Sequence, residues 1–315
     1  MKVRLSLAMV VALAVSAFVT AGYAPVVESE EEPQQQQRLI RMVELLESGQ
    51  VVFGSLVGDR SPDGAVRMAR NSDIDFFFYD MEHAGFDLNQ LRTFMQFTLD
   101  PAHILARGRT GTDHAILIRI PPFGRELKMN QWVIKNLLDQ GIHGTIAPFI
   151  ETAEQAEDLI RAMRYPQSPD AANPGPVGQR GSGAGSAIRF WGVGESEYRA
   201  RSDLWGLSPQ GELLTMLLIE NELGVQNIRE IVQVPGVSMV MAATGDLGSY
   251  YNGDAEKVER DVQTILAACK EFDVACAIPT GVDDTERRIR EGFRVILTSG
   301  EALRIGRQVA GRTSP

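Results

Sequence analysis

Eight short apolar runs recur along this chain, each followed by a stretch of helical character, and that order leaves few folds open. The runs are VVFGSL (51–56), FFFYDM (76–81), AILIRI (115–120), GTIAPF (144–149), TMLLIE (215–220), SMVMAA (238–243), ACAIPT (275–280) and RVILTS (294–299). They are continuous rather than alternating, as strands buried on both faces of a parallel sheet are. Between them, residues 87–97, 128–139, 152–164, 225–233, 254–272 and 283–292 carry apolar residues at helical spacing. Further helices are expected at 38–48 and after residue 299. Asp87 stands as an N-cap, and Thr152 followed by Gln155 makes a capping-box pattern. Eight βα units in series predict an α/β fold closed as a (β/α)8 TIM barrel, with an open doubly wound sheet as the alternative.

Two connections exceed what a minimal barrel needs: 98–114, and the Gly- and Pro-rich 165–211 with Trp191 and Trp205. Loops of this length are lids, interfaces or disordered. The GSGAGS at 181–186 does not join a strand to a helix, so it is not a dinucleotide-binding turn.

The chain opens differently. Lys2 and Arg4 precede an apolar run from Leu5 to Ala21, and small residues follow, a secretory signal pattern. Residues 1–24 are read as a signal peptide, with Val19 and Ala21 at the recognition positions for cleavage after Ala21; cleavage after Ala24, which would leave Pro25 next, is the less favoured alternative. An uncleaved anchor is the alternative, but the run is near the short end of the roughly 17–25 residues that span a bilayer. PVVESEEEPQQQQ (25–37) reads as a disordered acidic and Gln-rich linker, and 38–312 as the barrel. The protein is thus expected to be exported, to the periplasm or medium, and to meet the membrane only through its signal. A net charge of −10 argues against nucleic acid and anionic membrane surfaces as partners. Export permits a disulfide between the two cysteines, Cys269 and Cys276; two buried thiols is the simpler reading. No CxxC or Cys/His zinc pattern occurs.

Active sites of such barrels lie at the C-terminal ends of the strands. There the second run brings Asp80, Glu82 and His83, the third Arg119, the fifth Glu220, and the sixth leads through AATGDL to Asp246. A charge closing a long apolar strand is costly unless it is paired or bound. Glu220 and Asp246, on adjacent strands, suit a hard divalent cation such as Mg²⁺ or Mn²⁺, or else pair with arginines. Zinc fits less well, since only His83 is near. His103, His114 and His143 are expected to be structural or solvent-exposed.

With these positions in view, the stretches FFFYDMEHAGFDLNQLR, ILIRIP, LLDQGIHGTIAPFIETAEQAEDLIRAMRYP, GQRGSG, LLIEN and VPGVSMVMAATGDLG carry a resemblance. The chain resembles the HpcH/HpaI aldolases, metal-dependent pyruvate aldolases of the 4-hydroxy-2-oxoheptanedioate type. The resemblance implies a phosphoenolpyruvate/pyruvate-type barrel, usually a homo-oligomer, that cleaves a 4-hydroxy-2-oxo acid to pyruvate and an aldehyde. It implies Glu220 and Asp246 as ligands of Mg²⁺, Mn²⁺ or Co²⁺, and His83 as a base acting through water. Arg119 would bind the keto oxygen and stabilise the enolate, Asp80 would orient His83, and backbone amides at Thr244 and Gly245 would hold the substrate carboxylate. Two positions depart from the family pattern. Leu218 stands where Gln is frequent, and Ala243-Thr244-Gly245-Asp246-Leu247 lacks the proline of Gly-Pro-x-Asp-Leu. The carbanion left by C–C cleavage needs either a Schiff-base lysine or a metal. Lys128, Lys135, Lys257 and Lys270 fall at no predicted strand end and Lys2 lies in the signal, which favours the metal. Alternatives are a CoA-ester lyase or decarboxylase on the same scaffold, or a non-catalytic 2-oxo-acid-binding protein.

Overall fold

The computed structural model describes residues 37–312; the predicted signal peptide and all of the linker but Gln37 lie outside them. The apolar runs form β1 (Val52–Leu56), β2 (Phe76–Asp80), β3 (Ala115–Arg119), β4 (Gly144–Ala147), β5 (Leu214–Ile219), β6 (Met239–Ala242), β7 (Ala275–Pro279) and β8 (Val295–Leu297). Each pairs in parallel with the next, and β8 returns to β1 through Val52↔Val295 and Gly54↔Leu297. The sheet is therefore a closed barrel, not an open one, and closure leaves no strand edge unpaired. Every residue of β2 and β5 is buried, which is why their sequences do not alternate.

The first half carries α1 (Arg41–Glu47), α2 (Pro62–Ala69), α3 (Leu88–Thr98), α4 (Pro101–Arg107), α5 (Gln131–Leu138) and α6 (Ala153–Met163). In the second half follow α7 (Gly185–Trp191), α8 (Glu195–Arg201), α9 (Glu222–Gln226), α10 (Ile228–Val232), α11 (Thr244–Tyr250), α12 (Ala255–Glu271), α13 (Thr285–Glu291) and α14 (Gly300–Val309). The expected caps form. Asp87 accepts from the amides of Asn89 and Gln90 at 2.9 and 3.0 Å. Thr152 accepts from the Gln155 amide at 3.3 Å, but the Gln155 side chain returns to the amide of Glu151, one residue before the box position. The predicted helix 225–233 is two short helices meeting at Asn227, whose side chain donates to the Glu151 carbonyl at 2.8 Å.

Sequence patterning missed α2, although its signature was present: Ser61 caps the Gly64 amide at 3.1 Å and Pro62 holds the first helical position. The long connections contain structure as well. The first includes α4. The second includes α7 and α8, and its tryptophans stitch it to the N-terminal side of the barrel. Trp191 Nε1 donates to the Gly141 carbonyl just before β4 at 2.9 Å, and Trp205 Nε1 reaches Glu47 at 3.3 Å. These anchors lie away from the strand C-termini, where a lid would sit.

His143 begins at that same N-terminal side, wholly buried, and its Nδ1 accepts from the Ile116 amide at 2.9 Å. Burial pushes its imidazole from 6.5 down to about 3. Between those values the unfolded chain takes up a proton that the folded protein excludes, so stability falls as pH drops through this window. The slope attributable to His143 reaches at most about 1.4 kcal/mol per pH unit. Urea unfolding at about pH 7 and about pH 5 should show the loss, and His143→Gln should flatten it; an unaltered slope in the variant would assign the effect elsewhere.

Cys269 on α12 and Cys276 on β7 are free, buried thiols, and burial raises the Cys276 thiol well above its ordinary range. Neither should react with iodoacetamide in the native protein, and both should react in urea. Rapid native alkylation, read by mass spectrometry, would contradict this packing.

Candidate active site

The β2–β3 register sets Asp80 beside Arg119. Arg119 grips both Asp80 oxygens, at 2.9 and 2.6 Å, and its remaining nitrogen lies 3.1 Å from Glu82 Oε2. A planar guanidinium is suited to such a fork. Asp80 Oδ1 also accepts from the amides of Glu82 and His83 at 2.9 and 3.3 Å, tying down the turn after β2. Burial works to raise the Asp80 carboxyl, but Arg119 and these amides outweigh it and hold it below the usual range. Glu82 goes the other way: burial raises it and the nearby Arg119 only partly compensates. Adjacent carboxyls with opposed shifts mark sites of acid–base chemistry.

His83 stands at the mouth with its side chain 67% exposed. Its Nε2 is 3.3 Å from Glu82 Oε2. The structure thus places Glu82 against the imidazole, while Asp80 holds the His83 backbone. The physical reason is saturation, since the Asp80 oxygens already serve one guanidinium and two amides. Glu82 Oε2 lies within ion-pair distance of Arg119 and His83 but makes no aligned hydrogen bond, leaving a buried oxygen with spare acceptor capacity. Sequence reading placed Glu82 at the rim without a role and missed Arg60 altogether. Arg60, in the β1–α2 loop, donates to the carbonyls of Asp80 and Ala84 and lies 4.5 Å over the Tyr79 ring. The only hint in the sequence was a basic residue shortly after the first strand.

Across the barrel, Glu220 follows β5 and is 3% exposed. Its Oε2 accepts from the Phe149 amide, presented by a backbone with φ of 51°. That conformation is strained for an aromatic residue, as backbones at functional sites often are. Asp246 projects from the first turn of α11, which has no side-chain cap at Ala243. The opening amides of a helix, here including Thr244 and Gly245, have no intrahelical acceptor. Burial raises the Glu220 carboxyl, the Phe149 amide opposes this, and the neighbouring Asp246 and Glu82 raise it further. Arg119 also feels Glu220, so the two halves of the rim share one electrostatic site.

Several carboxylates converging beside one guanidinium leave excess negative charge. A hard divalent ion on Glu220 and Asp246 would relieve it, and oxygen donors suit that ion. Among the described residues no group of three or more His, Cys, Asp or Glu side chains is arranged around a common metal position. Two protein carboxylates would leave most of an octahedral shell to water and substrate.

Of the other histidines, His103 is exposed and 2.6 Å from Asp113, and His114 is buried against Phe77, its Nε2 3.0 Å from the Asn71 carbonyl. None of the described lysines ends a strand. Lys128, expected in a helix, lies in the turn before α5, where it reaches Glu154 at 3.9 Å.

Residues 62–300 match the family model described as HpcH/HpaI aldolase/citrate lyase. A hydroxypyruvate/pyruvate aldolase of Roseovarius nubinhibens is 28% identical over 272 residues, covering 85% of this chain and 93% of that protein. A 5-keto-4-deoxy-D-glucarate aldolase of Klebsiella pneumoniae is 27% identical over 238 residues, 74% of this chain and 80% of its own length. Among solved structures, an HpcH/HpaI aldolase/citrate lyase family protein from Burkholderia cenocepacia superposes with a TM-score of 0.66 at 23% identity, covering 86% of this chain and 98% of that one. That likeness bears on the fold.

Proposed function

Since the chain belongs to the HpcH/HpaI aldolase/citrate lyase family and is a lyase, we propose that its rim cleaves a 4-hydroxy-2-oxo acid to pyruvate and an aldehyde. The observation that carries this reading is the opposition of the His83–Glu82–Arg119 group to the Glu220–Asp246 pair across one barrel mouth. Glu220 and Asp246 hold a divalent cation, Mg²⁺, Mn²⁺ or Co²⁺. When bound, the ion supplies a Lewis acid for the 2-oxo acid and an electron sink for the developing carbanion.

The chain's own residues do the rest. The first amides of α11, at Thr244 and Gly245, receive the substrate carboxylate. His83, through a water, takes the proton from the C4 hydroxyl. The C3–C4 bond then breaks, its electron pair moves into the pyruvate enolate, and the C4 carbinol leaves as the aldehyde; the proton held by His83 returns through the water to C3, which gives pyruvate and restores the base. The Arg119 guanidinium donates to the enolate oxygen, preorganised by Asp80 so that it need not reorient during the reaction. Glu82, 3.3 Å from Nε2, holds the imidazole toward the mouth. Asp80 positions both Arg119 and the His83 backbone.

The test uses protein stripped with EDTA and reloaded with each ion, given a panel of 4-hydroxy-2-oxo acids. Pyruvate release restored by a divalent ion is expected. No pyruvate from any panel member, with cleavage of a CoA thioester instead, would overturn the reading.

Export and self-assembly belong to the same proposal. The basic start and apolar run at 1–24 support the first, and the oligomeric habit implied by the family resemblance supports the second. The mass of the mature chain from a secreting host, and light scattering, test them separately.

A further inference from the structure

The barrel's opposite end holds a cavity. The ends of α2 and α3, the helix α4 and the segment leading into β3 enclose about 550 Å³ there, within the roughly 300–1,000 Å³ typical of small-molecule sites. It opens at the N-terminal ends of β2 and β3, whose other ends carry the His83–Arg119 group.

The cavity exists because α4 stands off the core. None of its residues is buried. It is held instead by ion pairs: Asp113 lies 2.6 Å from both Arg107 and His103, and Arg107 donates to the Gly111 carbonyl at 2.7 Å. Phe97, Leu99 and Ile104 consequently line open space.

The polar lining is unevenly satisfied. Three arginines, Arg41, Arg70 and Arg107, face two aspartates, Asp100 and Asp113. Both acids are committed, Asp113 as above and Asp100 to the α4 amides of Ala102 and His103 at 3.0 and 3.2 Å. Among the described residues the side chains of Arg41 and Arg70 have no hydrogen-bond or ion-pair partner. Arg107 Nε and Thr112 Oγ1 are buried without hydrogen bonds. The half-buried Arg41 and the exposed Arg70 thus offer solvated guanidinium groups at the cavity's edge, and the buried, unpaired Arg107 Nε and Thr112 Oγ1 lie beside its apolar wall, where a ligand would supply the missing acceptor.

We propose that this cavity binds a small organic anion. Its single carboxylate or phosphate would meet Arg41 and Arg70, and its aliphatic or aryl body would pack on Phe97, Leu99 and Ile104. The site is separate from the catalytic rim and does not depend on its assignment.

Calorimetry on the intact protein with octanoate and phenyl phosphate as probes tests this and separates the two head groups. Saturable one-to-one binding of at least one probe is expected. Losing two charge-assisted contacts should weaken it about tenfold or more in the Arg41→Gln/Arg70→Gln double variant. Because neither side chain has a partner to lose, the variant's thermal midpoint should stay near wild type. Ile104→Trp, filling the cavity from exposed α4, should abolish binding, whereas Glu220→Gln should leave it intact. Absence of binding by both probes, binding that survives the double variant, or binding lost with Glu220→Gln would each overturn the proposal.

Discussion

Glu220→Gln is expected to abolish divalent-ion dependence and with it pyruvate release. Glutamine keeps the shape of the side chain and can still accept from the Phe149 amide, so the local packing survives. What disappears is one of the two carboxylates offered to the ion. Mutations that only touch a ligand's supporting partner already cost about 10–100-fold in metal affinity, so removal of a ligand charge should exceed about 100-fold. Mn²⁺ titration followed by electron paramagnetic resonance reads this directly. Stability provides an independent check with a defined sign. Without metal, burial and the nearby Asp246 disfavour ionised Glu220, so the neutral variant should melt no lower than wild type. Wild type should then gain stability on adding the ion, and the variant should not. Equal metal dependence in the two proteins would remove Glu220 from the ligand set.

The second large effect concerns Arg119. Replacing it with lysine keeps one charge but loses the fork that holds Asp80 and reaches Glu82 together. If the guanidinium stabilises the enolate oxygen, the loss is that of a preorganised donor, about 3–4 kcal/mol or roughly 10²–10³-fold in kcat. The loss should fall on kcat more than on KM, because the interaction is strongest with the charge that develops during cleavage. A purely structural role would instead appear as a lowered thermal midpoint with near wild-type turnover in the folded fraction, and that outcome would sink the assignment.

These two residues are legible in the amino-acid sequence because barrel topology converts chain order into position. A residue that follows an apolar strand run sits at the C-terminal rim, whatever the loops do. Glu220 and Arg119 end such runs, and Asp246 lies a few residues beyond one. The shorter helices are harder to read. α2 has a Ser-Pro start but only eight residues, and α4 has no buried face at all, so apolar periodicity has little to register.

Burial on both faces writes itself locally into continuous apolar runs, so the order of residues is enough to specify the eight strands, their succession and the rim positions of the acidic pair. The pairings belong to the folded molecule. Asp80 and Glu82 are two residues apart and chemically alike, yet the β2–β3 register saturates one with Arg119 and two amides and turns the other toward His83. The cavity beneath α4 is equally hidden in the sequence, since it depends on which arginines distant segments leave without partners. Partner choice is set by register and reach between elements far apart in the chain, and no local pattern of residues records it.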